Sequence, residues 1–105
     1  ENNRSEGIVV KISVGKNFVN KAEVGDEVEI VTNQTPFYPE SGGQIGDEGI
    51  IYSNDCKITI KDTQKKMGDL HVHLGKVEKG SLTINQSVNL EINTDKRNNA
   101  KAYQN

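Results

Sequence analysis

The chain has 105 residues, 32% of them apolar, no tryptophan and a formal net charge of −2. That length suits one domain with a small aliphatic core, and the acidic balance argues against a module that captures nucleic acid unaided. A lone cysteine, Cys56, excludes an internal disulfide and fits a reduced, cytoplasmic setting, and no apolar run is long enough to cross a bilayer as a helix.

The periodicity along the chain is mainly two. Ile8, Val10, Ile12 and Val14 alternate with Val9, Lys11 and Ser13, which predicts a half-buried strand. Residues 18–25 read as a polar connection closed by the tight turn Val24-Gly25-Asp26. A second strand over 27–31 carries Val28 and Ile30 on one face. Residues 49–52 form the next strand, Asn54-Asp55 a turn, and Ile58 and Ile60 mark a strand over 56–61. A polar loop over 63–69 follows. Leu70, Val72 and Leu74 then alternate with His71 and His73 in a further strand. Glu78-Lys79-Gly80 reads as a turn, Leu82 and Ile84 as a short strand, and Asn85-Gln86 as another turn. Val88, Leu90 and Ile92 mark the last strand. The expected fold is all-β: a small antiparallel barrel of six or more strands, whose closure would remove exposed edges. Residues 1–94 are expected to form the barrel. Residues 95–105, with Asp95 placed to cap, are expected to begin a short helical tail and linker. The chain opens without Met on Glu1-Asn2-Asn3-Arg4 and stops within a polar stretch, which suggests a segment of a longer protein.

One run is hard to explain by folding alone: Thr35-Pro36-Phe37-Tyr38-Pro39-Glu40-Ser41-Gly42-Gly43-Gln44-Ile45-Gly46-Asp47-Glu48-Gly49. An ordinary hairpin turn needs one or two special residues, not this many. Tyr38, Glu40, Gly42, Gly43, Gln44, Asp47 and Gly49 are therefore the candidate site residues. On one reading the glycines bring backbone N–H groups close to an oxyanion or phosphate. On the other, Glu40 and Asp47 simply fasten an irregular loop through side-chain to backbone hydrogen bonds. Of Phe37 and Tyr38, one can stack on a base, and at least one is expected in the core of so aromatic-poor a chain. The run contains no nucleophile–base pair, so any role there is auxiliary.

Elsewhere the signals are weaker. His71 and His73 lie two apart on a strand and can face the same way, but a zinc site needs a third ligand that the sequence does not supply. Cys56 has no basic neighbour except Lys57 and reads as near-inert. Lys65-Lys66 and Lys96-Arg97 read as solvated surface.

The glycine-rich run, Thr-x-Phe-Tyr-x-Glu-Ser-Gly-Gly-Gln-x-Gly-Asp-x-Gly, resembles the signature of alanyl-tRNA synthetases and of the freestanding alanyl-tRNA editing proteins related to them. Val24-Gly25-Asp26-Glu27-Val28, His73-x-Gly75 with the later Gly80, and, in weaker form, Asp95-Lys96-Arg97 resemble further stretches of that family. The resemblance implies a β-barrel similar to those of translation elongation factors, lying between the aminoacylation and editing modules. It implies a parent that ligates alanine to tRNA(Ala) with ATP and Mg²⁺, and a Zn²⁺-dependent editing module that hydrolyses tRNA mischarged with serine or glycine. The family's zinc ligands belong to that module and match no position here, so this segment is expected to be inactive alone and to hold no cofactor. Its expected partners are the adjacent editing domain and, through the parent, tRNA(Ala), with no membrane contact. Two rivals are the N-terminal barrel of a freestanding editing hydrolase, against which Ser41 speaks, and a purely structural linker barrel.

Overall fold

The computed structural model describes residues 3–94. Eight strands follow in order: β1 (Arg4–Val14), β2 (Asn17–Val19), β3 (Lys21–Glu23), β4 (Glu27–Thr32), β5 (Gly49–Ser53), β6 (Cys56–Lys66), β7 (Leu70–Thr83) and β8 (Ser87–Ile92). Six of them, in the order β1-β4-β7-β6-β5-β8, close on themselves through β1–β8 pairing, and every pairing is antiparallel. β1 spans the seam. Its first half, Arg4 to Ile8, pairs with β8, and its second half pairs with β4. β2 folds back on β1, and β3 pairs with the far end of β7. Closure leaves no free edge among the six barrel strands, which answers the edge problem that a short-stranded sheet faces in water. The all-β barrel expected from the sequence is the fold found. The helical tail expected over 95–105 lies outside the described residues.

The core is aliphatic, as the composition implies. Ile12, Ile30, Ile51, Ile58, Leu82 and Leu90 have no solvent exposure, and Phe37 joins them. Each such side chain contributes about 1.5–3 kcal/mol on burial.

Four local expectations are corrected. First, Val9 is fully buried while Ile8 and Val10 are exposed. A register shift against β4 between Val9 and Lys11 adds one residue, and the inward face changes parity there, so Val9 and Ile12 both point in. Second, residues 63–66 are strand, not loop. β6 runs on past a second register shift between Ile60 and Asp62, and that shift erased the alternation a sequence reading depends on. Third, Glu78-Lys79-Gly80 does not reverse the chain. β7 continues through it, bent at Gly80, whose φ is 66° and where a Cβ would overlap the Asp55 carbonyl. The strand expected around Leu82 is the end of β7, and the connection expected over 18–25 contains the end of β2 and all of β3. Fourth, on β7 His73 is fully buried along with Val77 and Leu82, Val72 is buried but lies outside the main core cluster, and Leu70 is 39% exposed, so the strand does not bury a single alternating face.

Candidate functional site

The glycine-rich run folds as a small hairpin of its own, outside the barrel strands. Ser41 and Gln44 exchange both backbone hydrogen bonds, at 3.0 and 2.9 Å, around Gly42 and Gly43. Those two glycines have φ of 55° and 86°. Positive φ at both central residues is the type I′ arrangement, whose twist matches that of the flanking strands, and glycine adopts it without steric cost. Further down, the Asp47 N–H donates to the Tyr38 carbonyl at 2.9 Å, and the Tyr38 N–H donates to Asp47 Oδ2 at 2.7 Å. The doubled glycine is thus the turn, and the surrounding polar residues are in part its fastenings.

The hairpin is seated on the shifted segment of β6. The Glu40 N–H donates to the Thr63 carbonyl at 2.8 Å, and Thr63 Oγ1 donates to the Asp47 carbonyl at 2.9 Å. Asp62 Oδ1 accepts from the N–H groups of Thr63 and Gly46, at 2.8 and 3.2 Å. Gly46 lies so close to β6 that a Cβ would overlap the Thr63 carbonyl. Thr63 itself is fully buried. The register shift that hid residues 62–66 from sequence reading is the same feature that turns Asp62 and Thr63 toward the hairpin.

A second anchor reaches into the core. His73 has no solvent exposure, and its Nδ1 lies 2.8 Å from the Ile30 carbonyl. A carbonyl only accepts, so Nδ1 carries the proton and Nε2 is left as an acceptor. Thr35 Oγ1, 2.8 Å away, therefore donates its proton to Nε2, and in turn accepts the Phe37 N–H at 3.0 Å. The Phe37 ring meets the imidazole edge-to-face with centroids 5.0 Å apart. Burial pushes the His73 pKa down to about 4, against the opposing effect of the Ile30 hydrogen bond, so the ring is neutral at pH 7. Both ring nitrogens are engaged within the fold, which leaves no lone pair with which His73 could join His71 on a metal. Among the described residues no group of three or more His, Cys, Asp or Glu is placed to hold one.

The seven candidate residues separate into two sets. Glu40, Gly42, Gly43 and Gln44 lie exposed at the hairpin tip, with Tyr38 71% exposed beside them. Asp47 is half-buried and ties the hairpin stem, and Gly49 is the first residue of β5, paired with Ile60 and Ile92. Of the aromatic pair, Phe37 is the buried member. Cys56 is buried, with Sγ 3.4 Å from Ser53 Oγ and 3.7 Å from Gln86 Nε2. Lys65 and Lys66 pair loosely with Asp69 and Glu29. Sequence reasoning missed Thr35, Asp62, Thr63 and His73 as supports of the site. Thr35 opened the glycine-rich run and His73 was weighed as half of a metal pair, but nothing marked either as a support, and Asp62 and Thr63 carried no signal.

The tip carries no positive charge, since residues 33–56 contain no Lys or Arg. What it can offer a ligand is backbone N–H groups, the Gln44 amide, the Glu40 carboxylate and the Tyr38 ring. The hairpin also lies where the chain leaves the barrel: the Asn93 N–H donates to the Glu48 carbonyl at 2.7 Å.

A sequence model of the family described as tRNA synthetases class II (A) matches residues 1–96. Among curated relatives, an alanine–tRNA ligase of Parvibaculum lavamentivorans is 43% identical over 103 residues, covering 97% of this chain and 12% of that protein. Alanine–tRNA ligases of Chelativorans sp. and Granulibacter bethesdensis are each 44% identical, over 102 and 101 residues, covering 97% and 95% of this chain and 12% of each of those proteins. The chain thus spans about 12% of the length of the curated relatives it matches. With its closed barrel and its glycine-turned hairpin, the chain belongs to the class II (A) tRNA synthetases, as a segment of the alanine-specific kind.

Proposed function

We propose that this barrel serves an alanine–tRNA ligase by holding its hairpin at the edge of the site where mischarged tRNA is hydrolysed. The parent joins alanine to tRNA(Ala) with ATP and Mg²⁺ in the cytoplasm, and the barrel links that module to the editing module. The segment alone is inactive in both reactions. Zinc, if the editing module holds it there, would activate water for ester hydrolysis outside this segment. None of the described residues of this chain forms a set fit to hold it.

The observation that carries this reading is the exposed, uncharged-to-acidic tip on a rigid base. Its N–H groups and the Gln44 amide suit a neutral, hydrogen-bonding target such as the terminal adenosine or the aminoacyl ester, and its lack of cations disfavours phosphate as the target. The exposed Tyr38 ring can stack on a base. The Asn93–Glu48 hydrogen bond ties the residue after β8 to the foot of the hairpin.

The experiment separates two rates in the parent enzyme. In Gln44→Ala and Gly42→Val variants, aminoacylation with alanine is expected to stay within about twofold. Deacylation of serine-charged tRNA(Ala) is expected to fall about tenfold or more, up to the roughly 10²–10³ lost when one positioned oxyanion donor is removed. Unchanged deacylation in both variants rules out the hairpin role and leaves a structural linker.

A further inference from the structure

The cleft on the outer face of β5, β6 and β7 is unrelated to the hairpin. Lys57 of β6 stands directly opposite Lys79 of β7, and on its other side directly opposite Tyr52 of β5. Both lysines are exposed, and with Tyr52, Ser53 and Asn54 they line a shallow open cleft. Like charges directly opposite on neighbouring strands destabilise a sheet. Nothing in the fold offsets this pair: among the described residues, no carboxylate lies within ion-pair distance of Lys57 or Lys79. The lysines that do form ion pairs are Lys21, Lys61, Lys65 and Lys66. Lys76 stands opposite Thr59 on one side and Glu27 of β4 on the other, so the row of positive charge along β7 is balanced by a carboxylate beyond the Lys57–Lys79 pair. Asp55 at the cleft rim and Glu78 beside Lys79 dilute the charge without occupying either ammonium group.

We infer that this face binds the phosphodiester backbone of RNA. The two unpaired lysines, on neighbouring strands about 4.8 Å apart across the sheet, form a paired positive site. The Tyr52 ring and the Ser53 and Asn54 side chains add stacking and hydrogen-bonding groups suited to sugar and base. An acidic protein surface would satisfy the charges, but it makes less use of an aromatic ring beside amide and hydroxyl groups. The site goes beyond the hairpin reading and does not depend on it. β5 runs from the hairpin foot at Gly49 to the cleft at Tyr52, a separation of about 10 Å, so the two faces can hold different parts of one tRNA.

The test uses the full-length natural protein and an unmodified tRNA(Ala) transcript, with affinity measured across a salt series. Lys57→Gln with Lys79→Gln is expected to weaken binding several-fold at low salt. It is also expected to reduce the slope of log affinity against log salt by about 1.5, near 0.7–0.9 per lost phosphate contact. Lys57→Arg with Lys79→Arg is expected to retain the slope, and Lys21→Gln, on another face, to leave it unchanged. Because the double Gln variant removes an unfavourable pair, its Tm is expected not to fall. Independently, tRNA is expected to protect Lys57 and Lys79 of the unmutated protein from reductive methylation. A slope unchanged by the double Gln variant, a slope that falls equally in the Lys21 control, a loss of affinity with no change of slope (the sign of a protein contact), or lysines that tRNA leaves unprotected would each overturn the assignment.

Discussion

His73 makes the stability of this barrel depend on acid in a calculable way. Its pKa falls from 6.5 in the unfolded chain to about 4 in the fold, because charging the ring would place an ion in a dry core. Between those values the unfolded chain binds the extra proton and the folded chain does not. Stability is therefore complete above about pH 6.5 and declines as pH falls toward 4. At about 1.4 kcal/mol per unit, a shift of this size amounts to roughly 3 kcal/mol, a large share of the stability of a small domain. Protonation would also cost the Thr35 hydrogen bond, since a charged ring has no acceptor nitrogen. The assay is urea unfolding at pH 7.0, 6.0, 5.0 and 4.0 for the natural sequence and for His73→Gln. Carboxylates contribute equally to both curves, so their difference isolates the imidazole. The natural chain is expected to lose roughly 3 kcal/mol more than the variant over this range, with most of the loss below pH 6. Parallel curves would refute the buried, neutral, hydrogen-bonded histidine.

Substitutions at three further positions probe the scaffold. Thr35→Val, which keeps the shape but strands both Nε2 of His73 and the Phe37 N–H, is expected to cost about 2–3 kcal/mol in urea unfolding, while Thr35→Ser costs less than about 1. Gly80→Ala forces a Cβ into the Asp55 carbonyl at a positive φ and is expected to cost about 3 kcal/mol or more, read as a fall in the urea midpoint. Gly42→Val meets open space at a φ of 55°, so its cost of about 1–2 kcal/mol should stay local: faster amide exchange at Ser41 and Gln44 with little change in global Tm.

The barrel was legible because several of its strands keep a period of two over most of their length and are separated by turns rich in Gly, Asn and Asp. Where the reading failed, the cause was a register shift or a bend. One residue inserted near Val10 turned Ile8 and Val10 outward, and the shift at Lys61 disguised Thr63 as loop. The bend at Gly80 imitated a turn, since Glu-Lys-Gly suits both. Pairing partners decide such cases, and here they lie 12 to 24 residues away along the chain. The hairpin was conspicuous for its glycines, but its support was not. Asp62 and Thr63 sit in a polar stretch with no pattern, and the tie between Thr35 and His73 spans 38 residues. His73 stood out as half of a possible metal pair and in a stretch resembling the family, on what read as the polar face of an alternating strand, yet it is buried in the core, as is Val72.

The proposed placement of the hairpin beside the aminoacyl end of tRNA can be tested by proximity. In the full-length parent, a photo-crosslinking amino acid replaces Tyr38, which is exposed and so should leave folding intact. The enzyme is then irradiated with tRNA(Ala) carrying a non-hydrolysable seryl group. Crosslinks mapped to the terminal CCA nucleotides are the predicted result. Crosslinks confined to other parts of the tRNA, or none at saturating tRNA, would contradict a hairpin poised at the site of deacylation.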